Sequence, residues 1–194
     1  MPEFDPFSPN ADRSIPVNTP TPVEGQVVLV PYDPQWPAMF ASEAGIIHQA
    51  LGKRALLVEH MGSTAVPGLI AKPCIDILLA VADSADEDAY LPELDAAGFV
   101  LRIRQPDWNE HRVFKSERIN VNLHVWSIDS PEVDRHLRFR DWLRTHPEDR
   151  DLYAAAKRQI AAGHHSTMPE YAEAKNDMVR EIQSRIDQHF DTSS

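Results

Sequence analysis

The alternation of apolar and polar positions predicts strands separated by helices along the first two thirds of the chain. Strand-like segments rich in β-branched and aromatic residues lie at residues 27–32, 55–60, 74–82, 99–104, 112–115 and 119–126. The first contains Pro31, which favours a strand end or an edge position. Residues 74–82 are almost continuously apolar, which is typical of a strand covered on both faces.

Helical spacing of apolar positions predicts the remaining elements. One helix is expected to end at Gly52 and another, over residues 86–97, at Gly98. Beyond Pro131 the pattern is helical only, with segments at about 131–145, 147–163 and 169–189. The prediction is an α+β fold, with a mixed sheet of about five strands, flanking helices and a helical C-terminal layer.

Proline sets the first 25 residues apart. They hold six of the 16 prolines in the chain. Proline lacks a backbone N–H and fixes φ, which opposes a helix or a central strand. We therefore expect residues 1–25 to be a disordered, proline-rich arm and residues 26–190 to be a single domain.

Charge and composition narrow the class of partner. The 194 residues carry a net charge of −11, so a nucleic acid polymer or an anionic membrane is not expected to bind. No apolar run reaches the length of a membrane span, and the single cysteine, Cys74, allows no intrachain disulfide. We expect a cytoplasmic protein, and the sequence leaves its oligomeric state open.

The residues best suited to chemistry follow the second predicted strand. Gly62 allows a close approach of a ligand to the backbone, and Ser63 and Thr64 add two hydroxyl groups, a combination that suits an anion. Asp76 is the one charge inside residues 74–82, and a carboxylate there needs compensation. A divalent cation and Lys72 are the two candidates, and a purely structural Asp76–Lys72 pair stays open.

A second polar stripe is predicted on residues 120–126. Alternation places Asn122 and His124 on one face of this strand, where they reach the same cleft as Asp76 if the two strands are neighbours. His124 suits a metal ligand or an acid–base group, or else a hydrogen-bonded histidine of the sheet. Lys157 and Lys175 each follow a tyrosine by four residues, and phosphate contact and surface solvation both remain open for them.

Several of these motifs resemble the GrpB family. The resemblance is carried by residues 30–36 (VPYDPQW), 59–69 (EHMGSTAVPGL), 72–77 (KPCIDI), 123–125 (LHV) and 139–147 (FRDWLRTHP), and by the two Tyr-x-x-x-Lys pairs. It extends over about residues 27–188. The resemblance implies a fold similar to the nucleotidyltransferase superfamily, and some family members are fused to a dephospho-CoA kinase. The reaction of the family itself is generally unassigned.

The superfamily pattern fits this chain only in part. It comprises Gly-Ser, a strand with Asp-x-Asp/Glu and a third carboxylate on a later strand, which together hold Mg²⁺ ions. Gly62, Ser63 and Asp76 match, whereas Leu78 stands at the second acid and His124 or Asn122 at the third. An imidazole ligand favours Mn²⁺ or another transition metal over Mg²⁺.

The resemblance implies a nucleotidyltransferase-type transferase that uses a divalent metal ion, Mg²⁺ or Mn²⁺ or another transition metal, on a nucleotide or other phosphate-bearing small molecule. Two alternatives stay open, a non-catalytic module that senses such a ligand and a member recruited to another small-molecule reaction, with His124 or Glu59 as general base. The candidate catalytic residues are Asp76, His124 and Glu59, with Asp76 and His124 as metal ligands. The candidate substrate-binding residues are Gly62, Ser63, Thr64, Lys72, Arg112, Asn122, Lys157 and Lys175.

Overall fold

The structure is a computed structural model that describes residues 15–17, 28–162 and 168–191, without the side chains of residues 16, 162, 168–177 and 191. Within this part of the chain, six strands form one sheet in the order β1-β4-β5-β6-β3-β2. They are β1 (Ile15–Pro16), β2 (Leu57–Met61), β3 (Ile75–Val81), β4 (Phe99–Gln105), β5 (His111–Ser116) and β6 (Val121–Ser127). The β3–β6 pair is parallel and the other pairs are antiparallel, so the sheet is mixed.

Five α-helices accompany the sheet in the described residues: α1 (Trp36–Leu51), α2 (Leu91–Ala96), α3 (Pro131–Thr145), α4 (Pro147–Ala162) and α5 (Met168–Asp191). The prediction of an α+β fold, with a mixed sheet, flanking helices and a helical C-terminal layer, is confirmed. None of the helices in the described ranges combines the length and the apolar character needed to cross a bilayer.

Strand β3 separates two apolar clusters, which confirms that it is covered on both faces. Ile77 and Leu79 pack in the cluster that contains residues of α1 and α2. Leu78 and Ala80 point to the other face, into a cluster with Trp126 and Val133 of α3. Asp76 lies on this second face as well, near the start of β3, but it does not belong to the apolar cluster.

The predicted strand at residues 27–32 is wrong in extent. Val30 makes only an isolated antiparallel bridge to Ala71, with two backbone hydrogen bonds of 2.9 and 3.0 Å. Pro31 directly follows the bridge and has no N–H with which to continue a ladder. The expected helix over residues 86–97 is also divided, because a 3-10 turn at Glu87–Ala89 precedes α2, which starts with a proline in its first turn.

The expectation of a disordered arm needs correction at residues 15–17. Ile15 and Pro16 pair with Arg104 and Ile103 at the outer edge of β4, and the Val17 N–H donates to the Arg102 carbonyl at 2.7 Å. Proline is compatible with an edge strand because only one side of that strand has to pair. The rest of residues 1–25 lies outside the described residues.

Candidate functional site

The Gly-Ser turn and Asp76 lie in direct contact. Strand β2 ends at Met61, whose register partner on β3 is Asp76, so the turn that begins at Gly62 starts beside this carboxylate. Gly62 has a φ of +70°, and a Cβ placed on it would lie 2.4 Å from Asp76 Oδ2. Glycine is needed here both for the backbone conformation and for the close approach of Asp76.

Two side chains of β6 surround the Asp76 carboxylate. Asn122, the register partner of Asp76, donates from Nδ2 to Asp76 Oδ1 at 2.8 Å. His124 Nε2 lies 3.9 Å from the same oxygen. The Asp76 side chain is 26% exposed, so it is only partly accessible to solvent. The sequence prediction that Asp76, Asn122 and His124 share one face is therefore correct.

The electrostatics of this group favour an ionised Asp76. Burial raises the pKa of Asp76, but the adjacent His124 and Asn122 side chains and the Lys115 ammonium outweigh burial and hold the pKa below its usual value. Lys115, on β5, also donates to Asn122 Oδ1, so Asn122 connects the ammonium to the carboxylate. Sequence reasoning missed Lys115, because its proximity depends on the β5–β6 register, which pairs Lys115 with Asn122.

A buried row of hydrogen-bonded side chains lies behind His124. His111 Nε2 is 3.0 Å from His124 Nδ1, and His111 Nδ1 is 2.6 Å from Gln105 Oε1. The two imidazoles are nearly parallel, with 5.2 Å between ring centroids, and His111 stacks on Trp126 at 4.2 Å. All four side chains are buried. Sequence reasoning also missed His111 and Gln105, which flank a turn and carry no recognisable spacing.

Ser63 and Thr64 have different surroundings. Lys157 of α4, only 3% exposed, donates from Nζ to Ser63 Oγ at 2.9 Å and to the Ile70 carbonyl at 2.6 Å. The buried Thr64 hydroxyl donates to the Cys74 carbonyl at 3.1 Å and lies 3.0 Å from His60 Nε2. Lys157 is thus buried against the turn, which is at odds with surface solvation, one of the two alternatives that the sequence left open. The Thr64 hydroxyl is occupied within the protein.

His60 is a buried residue that contacts the turn through the Thr64 hydroxyl. Its ring stacks on Phe40 with 4.9 Å between centroids. Burial lowers the pKa of His60 to about 4, with Arg144 and Arg140 acting in the same direction and Asp76 opposing them. A neutral imidazole is the form that fits this buried position.

The structure separates Arg112 from the Asp76 group and gives the surroundings of two further candidates. Arg112 points to the opposite face of β5, where it donates to Glu87 at 2.6 Å and to Glu110 at 2.9 Å, so it is not part of this site. Glu59 lies on the Asp76 side of the sheet and accepts from Arg140 at 2.7 Å. Lys72 is half-buried in the loop that leads to β3. Lys175 belongs to α5, but its side chain lies outside the described residues.

The donor atoms around Asp76 do not fit the three-carboxylate pattern. No group of three or more His, Cys, Asp or Glu side chains in the described ranges is placed to hold a metal ion. Leu78, at the second acid position, is fully buried in the apolar cluster with Trp126. Asp76 Oδ1 and His124 Nε2, 3.9 Å apart, are spaced closely enough to share one ion, since metal–donor distances are about 2.1 Å each.

Comparisons with known proteins identify the relatives of this chain. The family model described as GrpB protein matches residues 26–185. A UPF0157 protein of Halalkalibacterium halodurans is 54% identical over 84% of this chain and 84% of its own length. A UPF0157 protein of Streptomyces coelicolor is 40% identical over 82% of this chain and 84% of its own.

A more distant relative and a solved structure complete the comparison. A dephospho-CoA kinase of Mycolicibacterium paratuberculosis is 31% identical over 82% of this chain, which corresponds to 46% of that protein. The crystal structure of the conserved protein GrpB from Enterococcus faecalis matches with a TM-score of 0.72 and 29% identity, over 84% of this chain and 99% of that one. The chain belongs to the GrpB family.

Proposed function

We propose that this protein is a nucleotidyltransferase-type enzyme that acts on a nucleotide or another phosphate-bearing small molecule, bound at the turn of Gly62 and Ser63. The contact between Gly62 and Asp76 carries the proposal, because it joins a tight Gly-Ser turn to a partly solvent-accessible carboxylate on the adjacent strand. In this arrangement the turn binds the phosphate and Asp76 faces it.

The charges around the turn support an anionic ligand. Arg140 donates to the His60 carbonyl at 2.9 Å and Arg144 to the Ala65 carbonyl at 2.9 Å, so two guanidinium groups flank the turn. Lys157 contacts Ser63, and Lys115 lies near Asp76. Glu59 and Asp141 pair with the two guanidinium groups and balance part of this positive charge. In a chain with a net charge of −11, an anion needs such local cations.

Asp76 and His124 are the residues that would hold a divalent cation. A bound cation would supply positive charge opposite the phosphate. The roles of the protein groups follow from their contacts: Asn122 orients the Asp76 carboxylate, and Lys157 fixes the hydroxyl of Ser63. Some relatives are named dephospho-CoA kinase, and this name supports a nucleotide-related ligand.

A second candidate function is a module that binds the same ligand without catalysis. The specific observation in its favour is Leu78, which is 0% exposed and packs in the apolar core where the superfamily pattern has a second acid. The binding features of the turn would persist in such a protein, and the dependence on a metal ion would not.

Thermal denaturation of the full chain with ATP or dephospho-CoA, in Mg²⁺, Mn²⁺ or EDTA, tests both candidates. For the enzyme, we expect stabilisation that requires a metal ion and is lost in Asp76→Asn, because the charge of the carboxylate is removed while its shape is kept. Asp95→Asn, an exposed position on α2, is the matched control and should behave as the wild type.

The outcomes separate the two candidates. Metal-independent stabilisation that survives in Asp76→Asn would favour the binding module. The absence of stabilisation by either nucleotide in every metal condition would contradict both candidates for this ligand class.

A further inference from the structure

Two arginines of α3, four residues apart on one face of the helix, bind the two backbone carbonyls that frame the Gly-Ser turn. Arg140 Nη1 donates to the His60 carbonyl at 2.9 Å, and Arg144 Nε donates to the Ala65 carbonyl at 2.9 Å. His60 precedes the turn and Ala65 is the last residue of its 3-10 segment. Both ends of the turn are therefore attached to the same helix.

Asp141 connects the two arginines. Its carboxylate accepts from Arg140 Nε at 2.8 Å and Nη2 at 3.1 Å, and from Arg144 Nη1 at 3.0 Å. A carboxylate that accepts two parallel N–H bonds from one guanidinium group fixes the plane of that group as well as its position. We call Arg140, Asp141 and Arg144 the α3 clamp.

The hydrogen bonds of the two guanidinium groups are directed at the protein. Arg140 makes four of them, two to Asp141, one to Glu59 and one to the His60 carbonyl, and its side chain is only 9% exposed. Arg144 binds the carbonyl at the end of the 3-10 turn, whereas the ligand of the proposed function lies at its start. The charges of both arginines act on such a ligand only from a distance.

The turn itself has few internal hydrogen bonds. The Ala65 N–H donates to the Gly62 carbonyl and the Val66 N–H to the Ser63 carbonyl, both at 3.2 Å, which is the upper end of the usual range. Gly62 also gives the backbone more conformational freedom than another residue would. The shape of the turn therefore depends on contacts from outside, which the α3 clamp supplies at both ends and Lys157 at Ser63.

We propose that Arg140, Asp141 and Arg144 are positioning residues that hold the Gly-Ser turn in the shape that its ligand requires. The ligand part of this inference rests on the proposed function. The fixation of the turn is a property of the free protein and can be measured without a ligand.

A substitution at Asp141 distinguishes positioning from a role of charge. Asp141→Asn removes a negative charge near the turn, so a role of charge alone predicts tighter binding of an anion. Positioning predicts weaker binding, because asparagine has one acceptor oxygen in place of two and presents an NH₂ group to the guanidinium donors.

A substitution at Arg144 gives the second contrast. Arg144→Lys keeps the positive charge but removes the planar fork that joins the Ala65 carbonyl to Asp141. A role of charge alone predicts unchanged binding of an anion, and positioning again predicts weaker binding.

Hydrogen exchange of the Ala65 and Val66 amides, together with calorimetric titration of ATP and Mg²⁺, tests the inference in the full chain. In Asp141→Asn and Arg144→Lys we expect both amides to exchange about tenfold faster, relative to the amides of β3, than in the wild type. We expect ATP to bind about tenfold more weakly, which is the order of one hydrogen bond from a charged group.

The ion pair of Arg138 with Asp134 is the matched control. It joins an arginine and an aspartate of the same helix at 2.6 Å, and both side chains are exposed. Asp134→Asn and Arg138→Lys should leave the two amides and the ATP affinity as in the wild type. The Arg144 and Asp141 side chains are 37% and 54% exposed, so their substitution leaves the core intact, and thermal melts establish that each variant is folded.

The inference is overturned if the Ala65 and Val66 amides exchange as in the wild type in both clamp variants, or equally fast in the control variants. It is also overturned if ATP binds Asp141→Asn as tightly as the wild type or more tightly. If the wild type itself does not bind ATP, the proposed function fails for this ligand, and faster exchange in both clamp variants still supports the fixation of the turn by α3.

Discussion

At the scale of single residues, Gly62 makes the most restrictive contact of the site. We expect Gly62→Ala to destabilise the fold for two reasons, the positive φ and the collision of the new Cβ with Asp76 Oδ2 at 2.4 Å. Gly52→Ala is a matched control, since Gly52 also has a positive φ, +57°, but has nothing within 4 Å of an added Cβ.

Urea unfolding of both variants separates the two causes. Backbone strain alone should cost about 1–2 kcal/mol in Gly52→Ala. Gly62→Ala should lose at least about 1 kcal/mol more, as is typical of overpacking. Equal losses in the two variants would show that Asp76 yields without cost.

His60 gives the protein a specific dependence on pH. Its pKa falls from 6.5 to about 4 on folding, because the imidazole is buried. Below pH 6.5 the unfolded chain takes up a proton that the native state refuses, so the stabilisation is complete above pH 6.5 and is lost as the pH falls towards 4. From pH 7 to pH 5 this amounts to about 2 kcal/mol.

Urea unfolding of the wild type and His60→Gln at pH 7 and pH 5 measures this contribution. The glutamine keeps an N–H donor for Thr64 and cannot titrate. We expect the variant to be less stable at pH 7 and the difference from the wild type to shrink by about 2 kcal/mol at pH 5. A difference that stays constant with pH would contradict the assignment.

The individual site residues were predictable where one strand carries the information. Alternation along β6 placed Asn122 and His124 together, and the single charge in the apolar strand β3 indicated that Asp76 needs a compensating partner. The sequence did not indicate on which face of β5 the Arg112 side chain lies. In the structure it lies on the face opposite Asp76, where it donates to Glu87. The sequence also did not indicate that the Thr64 hydroxyl, a predicted ligand donor, donates instead to the carbonyl of Cys74.

At the scale of elements, α4 is tied to the Gly-Ser turn by one buried ammonium. Lys157→Met keeps the apolar stem but removes the hydrogen bonds to Ser63 Oγ and the Ile70 carbonyl. We expect a loss of about 2 kcal/mol, since hydrogen bonds from a charged donor are strong and the Ile70 carbonyl loses its donor. Lys53→Met, at an exposed position, should change stability by less than about 0.5 kcal/mol.

Hydrogen exchange gives a local readout of the same contact. The N–H groups of Ala65 and Val66 donate within the turn, to the carbonyls of Gly62 and Ser63. In Lys157→Met these amides should exchange faster than in the wild type. The amides of β3 should change only as much as the free energy of global unfolding changes. Unchanged exchange at Ala65 and Val66 would place the role of Lys157 elsewhere.

Elements were more predictable than their pairing. Helices α3 and α4 start at the prolines that the sequence indicated, because proline fits the first helical turn. The register that brings Lys115 beside Asn122 and His111 beside Trp126 depends on contacts between strands, which periodicity within a strand does not encode. The site residues on β3 and β6 could therefore be predicted from the sequence, whereas those on β4 and β5 could not.

At the scale of the whole molecule, the sheet has an edge that a short N-terminal strand covers. Strand β1 pairs with β4 only at Ile15 and Pro16, and Ile15 is 52% exposed. Val17 adds a half-buried side chain against the main apolar cluster. We therefore expect β1 to contribute little to the free energy of unfolding and to act mainly by covering the edge of β4.

Deleting residues 1–24 should lower the melting temperature by less than about 5 °C, which corresponds to about 1–2 kcal/mol for a chain of this size. The unpaired N–H and C=O groups of β4 should also promote self-association that rises with protein concentration, measurable by light scattering. Deleting residues 1–13 leaves Ile15, Pro16 and Val17 in place and should change neither quantity. A larger drop in the first variant would reveal further docking of the deleted segment, and identical behaviour of the two variants would show that β1 contributes nothing at this edge.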